Sequence, residues 1–212
     1  MLYSWKNDQT FKNKILPFTR GITLVGPERL FILYQLVMQV KYIDGCFAEV
    51  GVYKGGTAKL IFETSNLIGG NFRKFYLCDT FDGMPETDKE KDKHCKGDFA
   101  DTSLETVGKL FNDDIAIELY KGVFPNSIPI ASDCFGSRYS LVHIDCDIYK
   151  SVKDCCEFFY KRMNFGGIMV FDDYGFPSCP GALLAVDEFF SDKLEQPIVL
   201  PTGQCIVIKL GV

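Results

Sequence analysis

Short apolar runs alternate with segments of helical spacing along most of the chain. The apolar runs predict buried strands and lie at 46–52, 74–81, 115–122, 139–145 and 167–174. The segments with helical spacing lie at 27–42, 58–68, 104–111, 151–164 and 181–194. Strands that alternate with helices of this length indicate an α/β sheet, mostly parallel, with helices on both faces.

The last part of the chain departs from this alternation. Residues 197–210 hold two apolar runs around Thr202-Gly203, which predicts a tight antiparallel hairpin. No repeat or low-complexity segment interrupts the sequence, so a single domain over 1–212 is the simplest interpretation. Within it we expect residues 1–45 to form an N-terminal helical extension. The charged stretch 83–103, which is poor in aliphatic residues, is expected to form a lid.

Composition and charge narrow the class of protein. The chain has 212 residues, 47% of them hydrophobic, and a net charge of −5 without a basic run, which argues against a nucleic-acid partner. No apolar run approaches the roughly 18 residues of a membrane span, and residues 1–14 lack an apolar signal core. Nine cysteines without CxxC spacing indicate reduced, mostly buried thiols in the cytoplasm and disfavour a zinc site.

Residues with functional chemistry follow the predicted strands. In a parallel sheet, ligands bind at the carboxyl ends of the strands, where the strand order reverses. The glycine turn EVGVYKGGT (49–57) suits close approach of a ligand, or is only a structural turn, and it matches neither GxGxxG nor a nucleotide P-loop. Asp79 ends the second strand, where an acid typically accepts hydrogen bonds from ribose hydroxyls. A helix cap or a turn aspartate is the alternative for Asp79.

Two acidic pairs follow the next strands. Asp145 and Asp147 come after one strand, and Asp172 and Asp173 come after the next. If these strands are neighbours, about 4.8 Å apart, their ends bring up to four carboxylates to one edge. Like charges that close repel each other, so a divalent cation such as Mg²⁺ is their natural partner. A solvated rim of acids is the alternative.

The sequence assigns no chemistry to the two histidines. His143 lies inside an apolar run and is best explained as a core histidine or one that supports a ligand. His94 lies in the charged stretch and is best explained as a surface histidine. A catalytic or substrate-contacting role for His94 is the less favoured alternative.

Taken together, several segments resemble the macrocin O-methyltransferase family (TylF/MycF-like), whose members use S-adenosylmethionine. The segments are FAEVGVYKGGTA (47–58), LCDTFDGMPETD (77–88), GDFADTS (97–103), HIDCDIYKS (143–151), GGIMVFDDYGFPSCPGALLAVDEFF (166–190) and TGQCIVIK (202–209). The resemblance implies a Rossmann-like class I methyltransferase fold. Such a fold has a mostly parallel seven-stranded sheet, a C-terminal antiparallel hairpin and helices on both faces.

The resemblance also implies a role for each strand-end residue. The cofactor-binding residues would be Glu49, Gly51, Tyr53, Gly55, Thr57, Asp79, Thr80, Phe81 and Asp145. Asp145, Asp172 and Asp173 would bind the metal. Asp147 would be the general base, and with Asp145 it would form the catalytic pair. The lid at 83–103 would close over the cofactor and the substrate.

We therefore expect a divalent-metal-dependent O-methyltransferase. It would move a methyl group from S-adenosylmethionine to a hydroxyl of a sugar or a related small-molecule or glycan acceptor, with Mg²⁺ or another hard divalent cation. A homo-oligomer is left open, and no nucleic-acid or membrane partner is expected. Two alternatives stay open: a metal-dependent glycosyltransferase with Asp145-Cys146-Asp147 as its DxD motif, and a catalytically silent protein that binds S-adenosylmethionine.

Overall fold

A computed structural model describes residues 5–69, 73–112 and 114–211. The strands of its sheet are β1 (Cys46–Val50), β2 (Phe75–Asp79), β3 (Ile117–Lys121), β4 (Tyr139–Ile144), β5 (Met163–Phe171), β6 (Ile198–Val199) and β7 (Cys205–Ile208). The helices are α1 (Pro27–Gln39), α2 (Gly56–Leu67), α3 (Leu104–Lys109), α4 (Tyr149–Phe159) and α5 (Pro180–Phe190). Shorter helical turns at Phe11–Ile15 and Leu16–Thr19 precede α1.

The strands form one sheet in the order β3-β2-β1-β4-β5-β7-β6. Strands β1 to β5 pair with one another in parallel, whereas β7 pairs antiparallel with both β5 and β6. The mostly parallel α/β sheet and the terminal antiparallel hairpin are therefore confirmed. The chain passes from β3 back across β1 to form β4, so the strand order reverses between β1 and β4.

Each face of the sheet packs against its own set of helices. Successive residues of a strand point to opposite faces, so Leu141 of β4 packs in the cluster that holds α1 and α2. The next residue, Val142, packs in the cluster that holds α4 and α5. Helices on both faces are thus confirmed. Because the central strands are buried on both sides, their sequences are nearly continuous apolar runs.

Two of the boundaries that differ from the sequence prediction are those at the start of α4 and of β5. Helix α4 begins at Tyr149, two residues before the predicted start of the segment 151–164. The first amide of α4, on Tyr149, donates to Asp92 Oδ1 at 2.8 Å, so a carboxylate from a distant loop satisfies it. Strand β5 begins at Met163, and residues 164–167 belong to the strand because an irregularity in its pairing with β4 accommodates them.

The predicted lid, residues 83–103, contains no helix or strand, and the structure describes all of it. Its two arms pair through the backbone, since Met84 N donates to Asp98 O at 2.8 Å and Gly97 N donates to Met84 O at 2.9 Å. The Tyr53 hydroxyl donates to Asp101 Oδ1 at 2.7 Å. These contacts hold the lid against the turn between β1 and α2.

All nine cysteines are free thiols, and seven of them are buried, as the sequence predicts. No helix of the described residues combines the length and the apolar character that crossing a membrane requires.

Gly51 generates a prediction about stability. It follows β1 with φ +89°, and a Cβ there would lie 1.7 Å from the backbone oxygen of Asp145. Gly51→Ala should therefore lower the free energy of unfolding by about 3 kcal/mol or more in urea denaturation. Gly21→Ala is the matched control: it also has positive φ, +76°, but no atom lies within 4 Å of its Cβ position. We expect that control to lose only about 1–2 kcal/mol, and equal losses would contradict the clash.

Candidate active site

A cavity of about 240 Å³ opens at the carboxyl ends of the parallel strands. Residues at the ends of strands β1 to β5, or in the turns that directly follow them, line this cavity. From β1 to β5 these residues are Val50, Cys78, Gly122, Asp145 and Asp173. The lid contributes Gly83, Met84, Pro85, Asp98 and Phe99. The cavity therefore lies where the reversal of strand order predicts a ligand site.

The turn between β1 and α2 forms one side of this cavity. Gly51, Tyr53 and Thr57 line it, whereas Gly55 precedes α2 in the left-handed conformation and is not part of the wall. Glu49 is fully buried beneath the turn and does not line the cavity either. Its carboxylate accepts a hydrogen bond from Thr57 Oγ1, so Glu49 holds the turn from below.

Asp79 organises the neighbouring loop. Its Oδ2 accepts hydrogen bonds from the amides of Val52 at 2.7 Å and Tyr53 at 2.8 Å, and its Oδ1 accepts one from Phe81 N at 2.6 Å. Asp79 and Thr80 line the cavity, whereas the Phe81 side chain is buried in the core. Asp79 thus forms part of the cavity wall and also braces the glycine turn.

A row of charged side chains crosses the buried sheet below the cavity. His143 Nδ1 lies 2.9 Å from Glu49 Oε1, and His143 Nε2 lies 3.4 Å from Asp172 Oδ1. Arg29 of α1 donates to Asp172 Oδ2, and Gln204 donates to Asp172 Oδ1 at 2.7 Å. Burial alone would lower the pKa of His143, but its hydrogen bonds to Asp172 and Glu49 raise that pKa well above its usual value. His143 therefore links two carboxylates in a position that favours its protonated form.

The aspartates at the strand ends experience different electrostatic surroundings. Burial alone would raise the pKa of Asp172, but His143 and Arg29 hold it below the usual value. Burial raises the pKa of Asp145 and of Asp173 well above the usual value, and neighbouring carboxylates raise both further. Within the described residues, no group donates a hydrogen bond to the Asp145 side chain. The Asp173 side chain accepts one such bond there, from Asp147 N at 2.9 Å.

This donor set fits a hard divalent cation. Ligand atoms of His143, Asp145 and Asp172 lie within 4.8 Å of one another, and Asp145 and Asp173 share the cavity wall. Carboxylate oxygens are preferred ligands of Mg²⁺, and buried carboxylates without a counter-charge are costly. Asp145 and Asp173 can accept a cation as they stand, whereas Asp172 must first release Arg29. Both ring nitrogens of His143 already face carboxylates, Glu49 on one side and Asp172 on the other, so His143 is not among the residues that fit the ion best.

Asp147 lies on the cavity wall in an unusual backbone conformation. Its φ is +57°, which is uncommon for a residue other than glycine and typical of functional sites when neighbours enforce it. Asp147 Oδ1 accepts a hydrogen bond from Cys179 Sγ at 3.3 Å and lies 3.6 Å from His94 Nε2. Burial raises the pKa of Asp147, which makes its carboxylate a better base.

Part of the cavity wall was not indicated by the sequence. These residues are the segment 22–25, Arg29, Val123, Phe124 and Ser151. Among them only Arg29 could have been noticed in the sequence, because it is a positively charged residue in a broadly apolar helix. The others are ordinary residues that reach the cavity only through the packing of the chain.

Comparisons with known proteins identify the family of the chain. A family model described as macrocin-O-methyltransferase (TylF) matches residues 7–206. The chain is 28% identical over 174 residues to 8-demethyl-8-(2,3-dimethoxy-alpha-L-rhamnosyl)-tetracenomycin-C 4'-O-methyltransferase of Streptomyces olivaceus, covering 76% of this chain and 66% of that protein. It is 27% identical to mycinamicin III 3''-O-methyltransferase of Micromonospora griseorubida, covering 76% and 68%. The chain thus spans about two thirds of the length of these curated relatives.

Solved structures establish the fold. The O-methyltransferase NovP superposes with a TM-score of 0.78 at 24% identity, covering 90% of this chain and 83% of that one. The calicheamicin methyltransferase CalS11 superposes with a TM-score of 0.70 at 21% identity, covering 85% and 78%. The Rossmann-like class I methyltransferase fold implied by the sequence resemblance is therefore confirmed.

The buried charge row predicts a large loss of stability when its centre is removed. His143→Leu leaves Glu49 and Asp172 buried with less compensation, so the free energy of unfolding should fall by about 3–5 kcal/mol in urea denaturation. The double variant Glu49→Gln/His143→Leu also removes the Glu49 charge that His143→Leu leaves without its partner. It should therefore lose less than the sum of the single changes, by about 1 kcal/mol or more. Strictly additive losses would show that the two side chains do not interact.

Proposed function

The chain belongs to the macrocin O-methyltransferase (TylF) family, and we propose that it methylates a hydroxyl of a sugar or a related small-molecule or glycan acceptor, with S-adenosylmethionine as donor. One observation carries the proposal. A single cavity joins the glycine turn, Asp79 and the strand-end carboxylates, in a chain that matches the family over residues 7–206. The names of two relatives, a 4'-O-methyltransferase and a 3''-O-methyltransferase, support a hydroxyl acceptor.

We propose that the glycine turn and Asp79 hold the cofactor. When bound, S-adenosylmethionine supplies an electrophilic methyl group on a sulfur atom that leaves uncharged. Asp79 Oδ1 accepts one short amide hydrogen bond and a longer 3.4 Å contact from Thr80 Oγ1, so it keeps capacity for a ribose hydroxyl. Tyr53 and Thr57 supply further wall beside it.

Three residues of the predicted cofactor set, Glu49, Gly55 and Phe81, do not line the cavity. In this proposal they act indirectly. Glu49 accepts the Thr57 hydroxyl from beneath the turn, Gly55 provides the left-handed entry into α2, and the Phe81 amide orients Asp79.

Asp147 is the proposed general base. Its carboxylate lines the cavity, and its raised pKa favours removal of a proton from the acceptor hydroxyl, which would pass to an Asp147 oxygen. The amide of Asp147 donates to Asp173, which fixes the base relative to a proposed metal ligand. Asp145, on the same wall, would complete the catalytic pair as a group that positions the acceptor.

Asp145, Asp172 and Asp173 are the proposed ligands of Mg²⁺ or another hard divalent cation. Their support is the uncompensated carboxylate oxygens of Asp145 and Asp173, with Asp172 next to them in the charge row. When bound, such an ion orients neighbouring hydroxyls and lowers the pKa of the one that it touches.

We also propose a cytoplasmic location and a small-molecule partner. Nine free thiols support a reducing compartment. The net charge of −5 argues against nucleic acid as a partner. Assembly into a homo-oligomer stays a prediction.

A methyl-transfer assay tests the proposed activity. The purified chain is incubated with S-adenosylmethionine and a panel of free and glycosidically linked sugars with vicinal hydroxyls, and products are detected by their added methyl mass. Asp147→Asn should lower turnover about 100-fold or more, because the base is lost, while S-adenosylhomocysteine still raises the melting temperature. Asp82→Asn is the control, since Asp82 is an exposed carboxylate paired with Lys121.

The assay separates the alternatives. Unchanged turnover in Asp147→Asn would remove Asp147 as the base. Stabilisation by S-adenosylhomocysteine without turnover on any acceptor would favour a catalytically silent binding protein.

Calorimetric titration with Mg²⁺ tests the metal role separately. Asp173→Asn should weaken Mg²⁺ binding at least about 10-fold and lower turnover, because one charged ligand is lost, with cofactor binding retained. Asp173 is the better target, since removing Asp172 would also leave Arg29 and His143 without their partner. Full turnover in EDTA, together with unchanged Mg²⁺ affinity of Asp173→Asn, would contradict a metal site here.

A further inference from the structure

Three metal-ligating side chains meet beside the cavity, and the proposed function uses one of them. Cys179 Sγ lies 3.3 Å from Asp147 Oδ1 and 3.7 Å from His94 Nε2, and His94 Nε2 lies 3.6 Å from Asp147 Oδ1. His94 comes from the lid, Asp147 from the turn before α4, and Cys179 from the turn before α5. Such distant positions form no short motif, which is why the cysteine spacing disfavoured a zinc site.

The distances within this cluster match coordination of one ion. An N–H···O hydrogen bond is about 2.9–3.0 Å long, so 3.6 Å between His94 and Asp147 is too long for one. In a tetrahedral zinc site with Zn–N and Zn–O of about 2.0–2.1 Å and Zn–S of about 2.3 Å, neighbouring ligand atoms lie about 3.3–3.6 Å apart. The three separations, 3.3 Å from Sγ to Oδ1, 3.6 Å from Nε2 to Oδ1 and 3.7 Å from Sγ to Nε2, lie within about 0.3 Å of those edges.

Asp98 supplies the outer contact that such a site requires. Its Oδ2 lies 3.3 Å from His94 Nδ1 and accepts a hydrogen bond from Cys95 N at 2.9 Å. A metal-bound histidine usually donates its other ring N–H to a carboxylate, which fixes the tautomer. With the proton on Nδ1 facing Asp98, His94 Nε2 presents its lone pair to Asp147 and Cys179. The contact between His94 and Asp98 is separate from the three ligand distances. It directs His94 Nε2 toward the same point between Asp147 and Cys179.

Access and charge also suit a cation. The side chains of His94 and Asp147 remain 19% and 17% exposed, so ions can reach them from solvent. Within the described residues, no lysine or arginine forms an ion pair with any member of the cluster. The imidazole and the thiolate are ligands that select zinc-like ions over Mg²⁺.

We propose that His94, Asp147 and Cys179 bind Zn²⁺, or a divalent cation of similar softness, at a site separate from that proposed for Mg²⁺. Binding releases the Cys179 thiol proton to solvent and leaves a fourth position for water. The ion joins the lid to the segments that begin α4 and α5. It also engages the carboxylate proposed as the general base, so Zn²⁺ inhibits methyl transfer. This inhibition rests on the proposed function, whereas the binding does not.

Cobalt substitution tests the binding. The reduced full chain, in excess Mg²⁺, is titrated with Co²⁺, and one equivalent should produce a thiolate-to-cobalt charge-transfer band that Zn²⁺ then abolishes. Cys179→Ser should remove the band and weaken Zn²⁺ binding at least about 10-fold, and Asp98→Asn should weaken it about 10–100-fold. Cys95→Ser is the matched control, because Cys95 is an exposed thiol adjacent to His94 in sequence and outside the cluster.

Two results would overturn the site. One is a cobalt complex of the unaltered chain without the charge-transfer band, and the other is a band that persists in Cys179→Ser. The melting temperature of each metal-free variant is recorded first. If Cys179→Ser does not fold, His94→Asn at its partly exposed lid position provides the same comparison, with weaker Zn²⁺ binding expected and unchanged binding contradicting the site.

Inhibition is measured separately by methyl transfer at saturating Mg²⁺. Zn²⁺ should inhibit the unaltered chain and Cys95→Ser at the same concentration, and Cys179→Ser should require at least about 10-fold more. Equal inhibition of Cys179→Ser would overturn the inhibitory role. If the chain has no methyltransferase activity, the proposed function fails, and the cobalt titration still decides whether the zinc site exists.

Discussion

The structure depends on a buried row of charges that crosses three neighbouring strands and ends in α1. Glu49 faces His143 in the register between β1 and β4, Asp172 follows β5 on the other side of His143, and Arg29 closes the row. In the low-dielectric interior each of these charges is tolerable only because the next one compensates it. The row therefore links the order of the central strands to the position of α1.

The same row gives the carboxylates at the strand ends different electrostatic surroundings. Asp172 is neutralised by His143 and Arg29, whereas Asp145 and Asp173 face the cavity with their pKa values raised by burial. Asp172 and Asp173 are adjacent in sequence yet differ in role, because successive residues at a strand end point in different directions. Asp172 pairs with His143 and Arg29, and Asp173 faces the cavity.

The lid extends this arrangement beyond the sheet. Asp101 holds it to the glycine turn through Tyr53, and Asp92 satisfies the first amide of α4. His94 reaches Asp147 on the cavity wall. Charged side chains thus position a segment that has no helix or strand. These residues hold the lid in place as well as facing solvent.

The sequence by itself determined the strands, most helices, the mixed sheet and the strand ends where polar residues gather. It could do so because apolar periodicity is local and all carboxyl ends of a parallel sheet lie at one edge. Only the tertiary structure decided that Asp92 accepts the first amide of α4 and that Asp172 pairs with Arg29. It alone brings His94 to Cys179. These contacts join residues far apart in the chain, and their formation depends on how whole segments pack, which no local period encodes.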